Sequence, residues 1–369
     1  MRKTLFFFFW VWYNTGMKEK TNELPESLLR QAIPPLLSWF SAHRADLPWR
    51  REPTPYHVWL SEIMLQQTRI RAALPYYERF LSELPTVAAL AAVPEERLLK
   101  LWEGLGYYSR ARNLKKTAIL LCERYGGELP RSAAELASLP GVGPYTAGAI
   151  ASIAYGEPEP AVDGNVLRVL SRLTLSEADV LSPATRTAMT NVLCKVYPAG
   201  REAGALTEAL MELGETVCLP NGAPLCENCP LAALCLARRA GRAEELPVRS
   251  QKKERRVEKR TVLLLSDGDG EKLAVCRRPS RGLLAGMWEF PNFPGAATKK
   301  NAEAFLAERG GAASHFSLSL KKTHIFTHIE WQMTALTGKI DVLPPSFVLA
   351  DREELIRDYA LPTAFRQFL

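Results

Sequence analysis

The sequence lacks the features that would place it in a membrane, a fibre or a disordered class. No stretch after the first sixteen residues is apolar enough to span a bilayer, and no fixed-period repeat or low-complexity tract occurs beyond one short basic run. The apolar run from Leu5 to Tyr13 follows Arg2 and Lys3 but is too short to span a membrane, is built from aromatics, and has no small-x-small cleavage site before Met17. We read residues 1–22 as an extension, disordered or arising from an upstream start, with Met17 a plausible true start, and expect a cytoplasmic protein with no membrane partner.

What is present fits a multidomain globular chain. The 369 residues allow two or three domains, and 47% hydrophobic with 24% charged residues is ordinary for one. The net charge of +7 favours an acidic partner, most simply nucleic acid. Much of the excess sits between Arg249 and Arg260, where seven basic and two acidic residues give 7 − 2 = +5.

From Pro25 to about Ala240 the apolar spacing is helical, with breaks at Pro and Gly. Helices are expected over 58–71, 75–84, 95–102 and 111–124, among others. From Thr261 the period shortens: 261–265 and 272–276 read as strands around Asp267-Gly-Asp-Gly270, 301–309 as a helix, and 324–336 as a strand or strand pair. This divides the chain into an all-α region at 23–240, a basic linker at 241–260 and an α+β module at 261–369.

Four features carry chemistry. Ser138-Leu-Pro-Gly-Val-Gly-Pro-Tyr145 reads as a helix, a tight turn and a second helix whose unpaired N–H groups face outward, a ready phosphate site at Gly141, Val142 and Gly143. Asp163, beside Gly164 and Asn165 at the next helix start, should be kept ionised by backbone N–H groups and the helix dipole. Glu62 shares one helical face with Val58 and Leu65, so its carboxyl should be available as a general acid. Finally, Cys218-x7-Cys226-x2-Cys229-x5-Cys235 gathers four of the seven cysteines; such clustering points to zinc or an iron–sulfur cluster, and spacing does not decide between them.

Leu-Pro-Gly-Val-Gly followed by Val-Asp-Gly-Asn resembles the helix-hairpin-helix DNA glycosylases. Trp59-Leu-Ser-Glu-Ile-Met-Leu-Gln-Gln-Thr68 resembles the active-site helix of their adenine-specific branch, the MutY family. The resemblance implies an all-α helix-hairpin-helix fold with a [4Fe-4S] cluster loop on the four cysteines, although the first spacing here is one residue longer than that of endonuclease III-type relatives. It implies that Glu62 protonates adenine N7 while Asp163, with Asn165 near it, stabilises the cationic sugar. Trp49, Arg50, Leu65 and Glu208 correspond to the adenine pocket; Gln67, Thr68, Leu105 and Tyr107 correspond to residues that probe the opposite base and wedge the stack.

Bifunctional relatives carry a lysine where this chain has Tyr145, so the amine of a Schiff base is missing and base removal without strand cleavage is expected. Leu283-Leu-Ala-Gly-Met-Trp-Glu-Phe-Pro291 and Phe326-Thr-His328 resemble the family's Nudix-like 8-oxoguanine reader, with Thr327 where serine is usual. The stretch 301–310 lacks the Arg-Glu-x-x-Glu-Glu of a hydrolytic Nudix helix, which implies recognition rather than hydrolysis. The implied substrate is double-stranded DNA with adenine opposite 8-oxoguanine or guanine, bound by a monomer at the bacterial nucleoid. The rival readings are a bifunctional endonuclease III-like enzyme for oxidised pyrimidines and a non-catalytic iron–sulfur DNA-binding protein.

Overall fold

The computed structural model describes residues 25–250 and 254–369; the reading of residues 1–22 lies outside them. The described chain forms two compact units, each drawn from discontinuous segments. Among the described residues no helix is long and apolar enough to cross a membrane.

One unit takes 25–53, 131–134 and 143–250. Its helices are α1 (Glu26–His43), α2 (Pro48–Arg51), α9 (Pro144–Tyr155), α10 (Gly164–Leu173), α11 (Pro183–Cys194), α12 (Arg201–Thr216) and the short α13 (Leu236–Arg239). Leu36 and Phe40 of α1, Val166 and Leu170 of α10, and Leu206 and Leu213 of α12 build its core. Complete removal of such side chains from water contributes about 1.5–3 kcal/mol each.

The other unit takes 54–130, 135–142 and, of the described residues, 254–369. Its helical part holds α3 (Pro55–Leu65), α4 (Ile70–Glu83), α5 (Val87–Ala92), α6 (Glu95–Leu101) and α7 (Ser109–Arg124); the short α8 (Ala133–Ala137) has residues in both units. The α3 helix starts where Thr54 Oγ1 accepts the His57 N–H at 3.2 Å and Pro55 opens the first turn. It is apolar almost all round, and Tyr56 and every residue from Val58 to Met64 are buried. Trp59, Phe80 and Trp102 are fully buried, the last two edge to face at 6.0 Å.

Two helical expectations need correction. The helix expected over 58–71 stops at Leu65, where Gln66 takes an extended ψ of 110°, and α4 already begins at Ile70, enclosing Pro75 in its interior. The expected start at Pro75 is therefore five residues late.

The rest of this unit is a mixed seven-stranded sheet with helices on both faces. Its strands are β1 (Arg256–Ser266), β2 (Lys272–Arg277), β3 (Trp288–Glu289), β4 (Asn292–Pro294), β5 (Ala312–Ile325), β6 (Ile329–Val342) and β7 (Phe347–Asp351). The spatial order is β3-β2-β1-β6-β5, with β4 on β1 and β7 on β2, and β1 runs parallel to β6. One face packs Val262, Trp331 and Met333 against Leu355 of α15 (Arg352–Arg357) and Phe365 of α16 (Thr363–Arg366). The other packs Leu263, Leu265 and Leu336 against Ala302 and Leu306 of α14 (Lys299–Ala307). Because β1 begins at Arg256, the stretch read as linker contributes five strand residues, fixed by pairing with β6 from Ile329 to Met333. The strand pair read over 324–336 is two long strands joined by a turn at 326–328, and β5 extends back to Ala312, well before the expected start.

Candidate functional site

Within the unit holding α3, Glu62 is 7% exposed on an otherwise apolar helix. Leu65 closes that helix half-buried; Gln67 is exposed and Thr68 half-buried in the turn that follows. Gln67 has φ 57° and Tyr107 φ 48°, left-handed backbone that bulky residues adopt only when the surroundings hold them there. Tyr107 is 45% exposed, whereas Leu105 is 7% exposed, so only the tyrosine of the expected wedge pair projects from the surface.

The two loops meet the sheet module. A cavity of about 600 Å³ is lined by Gln67, Tyr107, Leu283, Leu284, Phe326, Thr327 and His328. The expected probing residues Gln67 and Tyr107 and the expected reading residues Phe326, Thr327 and His328 are thus brought together. Phe326 anchors the turn with its ring 4.9 Å from the Trp331 ring, leaving Thr327 and His328 exposed. The hydroxyls of Tyr107 and Thr327 are hydrogen-bonded to each other. Lys116 and Arg112 also line it; Arg112 pairs with Glu95 at 2.7 Å and donates to the Ala285 carbonyl.

Glu103 fastens the same loop to the C-terminal segment. It is 8% exposed, accepts the Leu361 N–H at 2.9 Å and pairs with Lys100 at 2.8 Å, while Lys100 Nζ donates to the Tyr359 carbonyl at 3.0 Å. Sequence reasoning missed Glu103, because its partners lie some 260 residues away in the chain.

On the hairpin, Gly141 has φ 77°, and a Cβ there would lie 2.6 Å from Asn113 Cβ, so both turn and packing require glycine. Gly141 is exposed and Val142 buried. In the other unit, Gly143 is exposed at the N-cap of α9, and Pro144, which has no N–H, opens the helix. The phenol of Tyr145, half-buried on α9, donates to Met211 Sδ at 3.7 Å.

Asp163 caps α10: Oδ1 accepts the Val166 N–H at 2.8 Å and Oδ2 accepts from Asn165 Nδ2 at 2.9 Å. The expectation that cap and dipole keep it ionised is corrected in direction. Burial raises its pKa above the ordinary carboxyl value and outweighs the hydrogen bonds from Val166 and Asn165 and the charge of Arg168. Arg168, buried and also missed, accounts for the local order: it donates to Asn165 Oδ1 at 2.9 Å, to the Gly214 carbonyl at 2.7 Å and to the Cys218 carbonyl at 2.8 Å. Gly214 permits this approach, since a Cβ there would sit 2.6 Å from Asn165 Cβ.

Trp49 is buried on α2, and the neighbouring Arg50 is the centre of a buried ion triad. Its guanidinium reaches Glu208 at 2.9 Å and Glu212 at 2.7 Å and lies over the Phe40 ring at 5.4 Å. Burial raises the Glu208 pKa despite Arg50. Glu212 was missed; its spacing from Glu208, one turn along the apolar face of α12, was the available signal.

The four cysteines border one concavity of about 30 Å³ together with Arg172 and Arg238, and none of them forms a disulfide. Arg172 donates to Cys218 Sγ at 3.2 Å, and Cys235 Sγ to the Arg172 carbonyl at 3.4 Å. Among the described residues no group of three or more His, Cys, Asp or Glu side chains is placed to hold a metal ion. The donor chemistry of the cysteines is nonetheless right, since soft thiolates from four cysteines lining one concavity are what an iron–sulfur cluster or zinc takes.

Comparison with known proteins accounts for both parts of the chain. Residues 60–195 match the HhH-GPD superfamily of base excision DNA repair proteins, and residues 261–369 match the NUDIX domain. The adenine DNA glycosylase of Homo sapiens is 34% identical over 90% of this chain and 72% of its own length. That of Rattus norvegicus is 34% identical over 80% of this chain and 68% of its own. Among solved structures, a thermostable thymine-DNA glycosylase superposes with a TM-score of 0.53 at 27% identity, covering 57% of this chain and 97% of that one. A non-covalent endonuclease III–DNA complex gives 0.50 at 26% identity, covering 59% and 98%. An all-α glycosylase region with a Nudix-like module at its C-terminus, and identity sustained across both, make this chain a member of the adenine DNA glycosylase family.

Proposed function

We propose that the chain is a monofunctional base excision repair glycosylase that removes adenine opposite 8-oxoguanine, and less readily opposite guanine. The observation that carries the chemistry is Glu62, a carboxyl 7% exposed on an apolar helix. A carboxyl held there can serve as the general acid that adenine N7 needs if its glycosidic bond is to break. By the family resemblance Asp163, bonded by Asn165, stabilises the cationic sugar as the carboxylate, with Tyr145 assisting; charge developing on the sugar offsets the desolvation that Asp163 suffers in the free protein. The family resemblance assigns Trp49, Arg50, Leu65 and Glu208 to adenine recognition, and Gly141 and Gly143, flanking Val142, to the DNA backbone through their N–H groups; the Val142 N–H itself donates to the Leu139 carbonyl at 3.1 Å.

Reading of the opposite base falls to the 600 Å³ cavity. 8-Oxoguanine carries a proton on N7 where guanine has a bare acceptor. The Thr327 hydroxyl can accept from that N7–H once its bond to Tyr107 opens. Gln67 and Thr68 are placed to probe the same base, with Tyr107 and Leu105 filling the gap left by the flipped adenine; Leu105 must leave its buried position to do so.

Cys218, Cys226, Cys229 and Cys235 would hold a four-iron–four-sulfur cluster. When bound, it supplies a covalent cross-link that fixes the loop carrying Arg238, Arg239 and Arg242 against DNA phosphate. The protein acts as a cytoplasmic monomer.

The test is incubation of pure protein with duplexes pairing adenine with 8-oxoguanine, guanine or thymine. Abasic product is expected with the first two, and strands should break only after alkali. Breakage at neutral pH, or trapping of a covalent adduct by borohydride, would favour the lyase reading, which Tyr145 in place of lysine argues against.

A further inference from the structure

Arg110 lies in the first turn of α7, 7% exposed, with no carboxylate pairing it among the described residues. Instead its fork is spent on two chain segments. Nη1 donates to the carbonyls of Ile63 at 2.8 Å, Met64 at 2.9 Å and Gln66 at 2.6 Å. Nη2 donates to the carbonyls of Leu105 at 3.0 Å and Gly106 at 3.2 Å, and to Thr68 Oγ1 at 3.3 Å. Nη1 thus holds the end of α3, where helix carbonyls have no intrahelical partner, and Nη2 spans both segments, with Leu105 and Gly106 from the loop before α7 and Thr68 from the turn after α3. Each segment carries a left-handed residue with a side chain, Gln67 in one and Tyr107 in the other. The guanidinium also lies 5.5 Å from the Tyr107 ring and 5.3 Å from the Trp102 ring. Its Nε–H is buried without a partner, so the group is committed to the loops even at the expense of one donor.

We propose that Arg110 is the positioning residue that locks the Gln66–Thr68 and Leu105–Tyr107 loops into one register, and that this register sets how sharply the enzyme distinguishes 8-oxoguanine from guanine opposite adenine. The inference rests on the function proposed above. Neither left-handed residue is favoured by its own chemistry, so without the clamp each loop relaxes to commoner backbone. Lysine cannot replace the clamp, because one ammonium offers a point of donors where two loops need a planar fork. A displacement of about 1 Å in such a constellation is worth roughly 10²-fold in rate. That loss falls on the substrate whose opposite base the loops contact productively. The poorer substrate, which gains less from those contacts, loses less.

The test compares single-turnover excision by the full-length wild type, R110K and Y56F on adenine:8-oxoguanine and adenine:guanine duplexes, each corrected for active fraction. Tyr56 donates a buried hydrogen bond to the Leu84 carbonyl at 2.7 Å from the same helix α3 but touches neither loop, so Y56F lowers stability and should keep the rate ratio. R110K should lower the ratio by about tenfold or more. Equal losses on both duplexes, no change, or the same fall in ratio for Y56F would overturn the proposal. Hydrogen exchange on the wild-type chain reads the clamp independently of any variant and of adenine excision. The amides of Thr68 and Leu105, bonded to the Leu65 and Trp102 carbonyls, should open at one common rate, and unrelated rates would overturn it. A wild type that excises no adenine, with common opening intact, would instead count against the proposed function alone.

Discussion

Replacing Arg50 by methionine should be among the most damaging single changes in the chain, and the structure says why. Arg50, Glu208 and Glu212 have side chains only 7%, 16% and 8% exposed, so the two carboxylates depend on one guanidinium for compensation. Methionine fills the volume and keeps contact with Phe40, leaving charge as the main difference. Breaking a buried pair by removing one partner typically costs about 3–5 kcal/mol. At about 2–4 °C per kcal/mol for a domain of this size, the melting temperature should fall by ~6–20 °C. The loss should depend on pH. Burial already raises the Glu208 pKa, and removing Arg50 raises it further. A carboxyl whose folded pKa exceeds the unfolded value of about 4.3 costs stability above that value and ceases to do so below it, so the gap between R50M and wild type should narrow as pH falls towards 4. Adding E212Q to R50M removes one uncompensated charge and should recover part of the loss. Circular dichroism melts at pH 7.5 and 5 read all of this. An R50M melt within about 2 °C of wild type at pH 7.5 would refute the triad as a structural element.

Asp163 should behave in the opposite sense, because burial holds its pKa above the ordinary value. Its charge then costs stability once pH rises past the unfolded pKa of about 3.9, so D163N should abolish excision at pH 7 without lowering the melting temperature; a lower one would mean that the cap outweighs desolvation. T327V removes one hydroxyl contact worth about 0.5–1.5 kcal/mol and should weaken the 8-oxoguanine preference by roughly two- to tenfold in competition assays. An unchanged preference would remove Thr327 from lesion reading. Protein purified without air should contain about four irons per chain on the four cysteines, and stoichiometric zinc without iron in natively expressed protein would contradict the cluster.

The parts of the site legible in the sequence are those whose chemistry is local. Asp163 and Asn165 cap the helix they begin, Gly141 makes the turn its position demands, and Glu62 shares its helix with the apolar neighbours that bury it. What escaped reading depends on partners far along the chain. Nothing in Gln66-Gln67-Thr68 forbids helix; the break coincides with the Gln66 carbonyl bonding Arg110, 44 residues later. The charged run Arg256–Arg260 looks like solvated linker until β6, more than 70 residues on, supplies a parallel partner. The early half of β5 has little apolar alternation because it lies at the sheet edge, where Leu318 is 68% exposed. Arg168 and Glu103 were passed over for the same reason: a charged residue amid helical sequence reads as a solvated face unless its distant acceptors are known.

The central claim is that a buried carboxyl on α3 delivers the proton that releases adenine. Single-turnover excision by E62Q on an adenine:8-oxoguanine duplex, measured beside its affinity for the same duplex, tests it most directly. Glutamine preserves shape and hydrogen bonding but cannot donate that proton. The account predicts a fall in the excision rate of at least roughly 10²–10⁴-fold with duplex affinity essentially retained. An E62Q enzyme that excises adenine at a near-normal rate would contradict it.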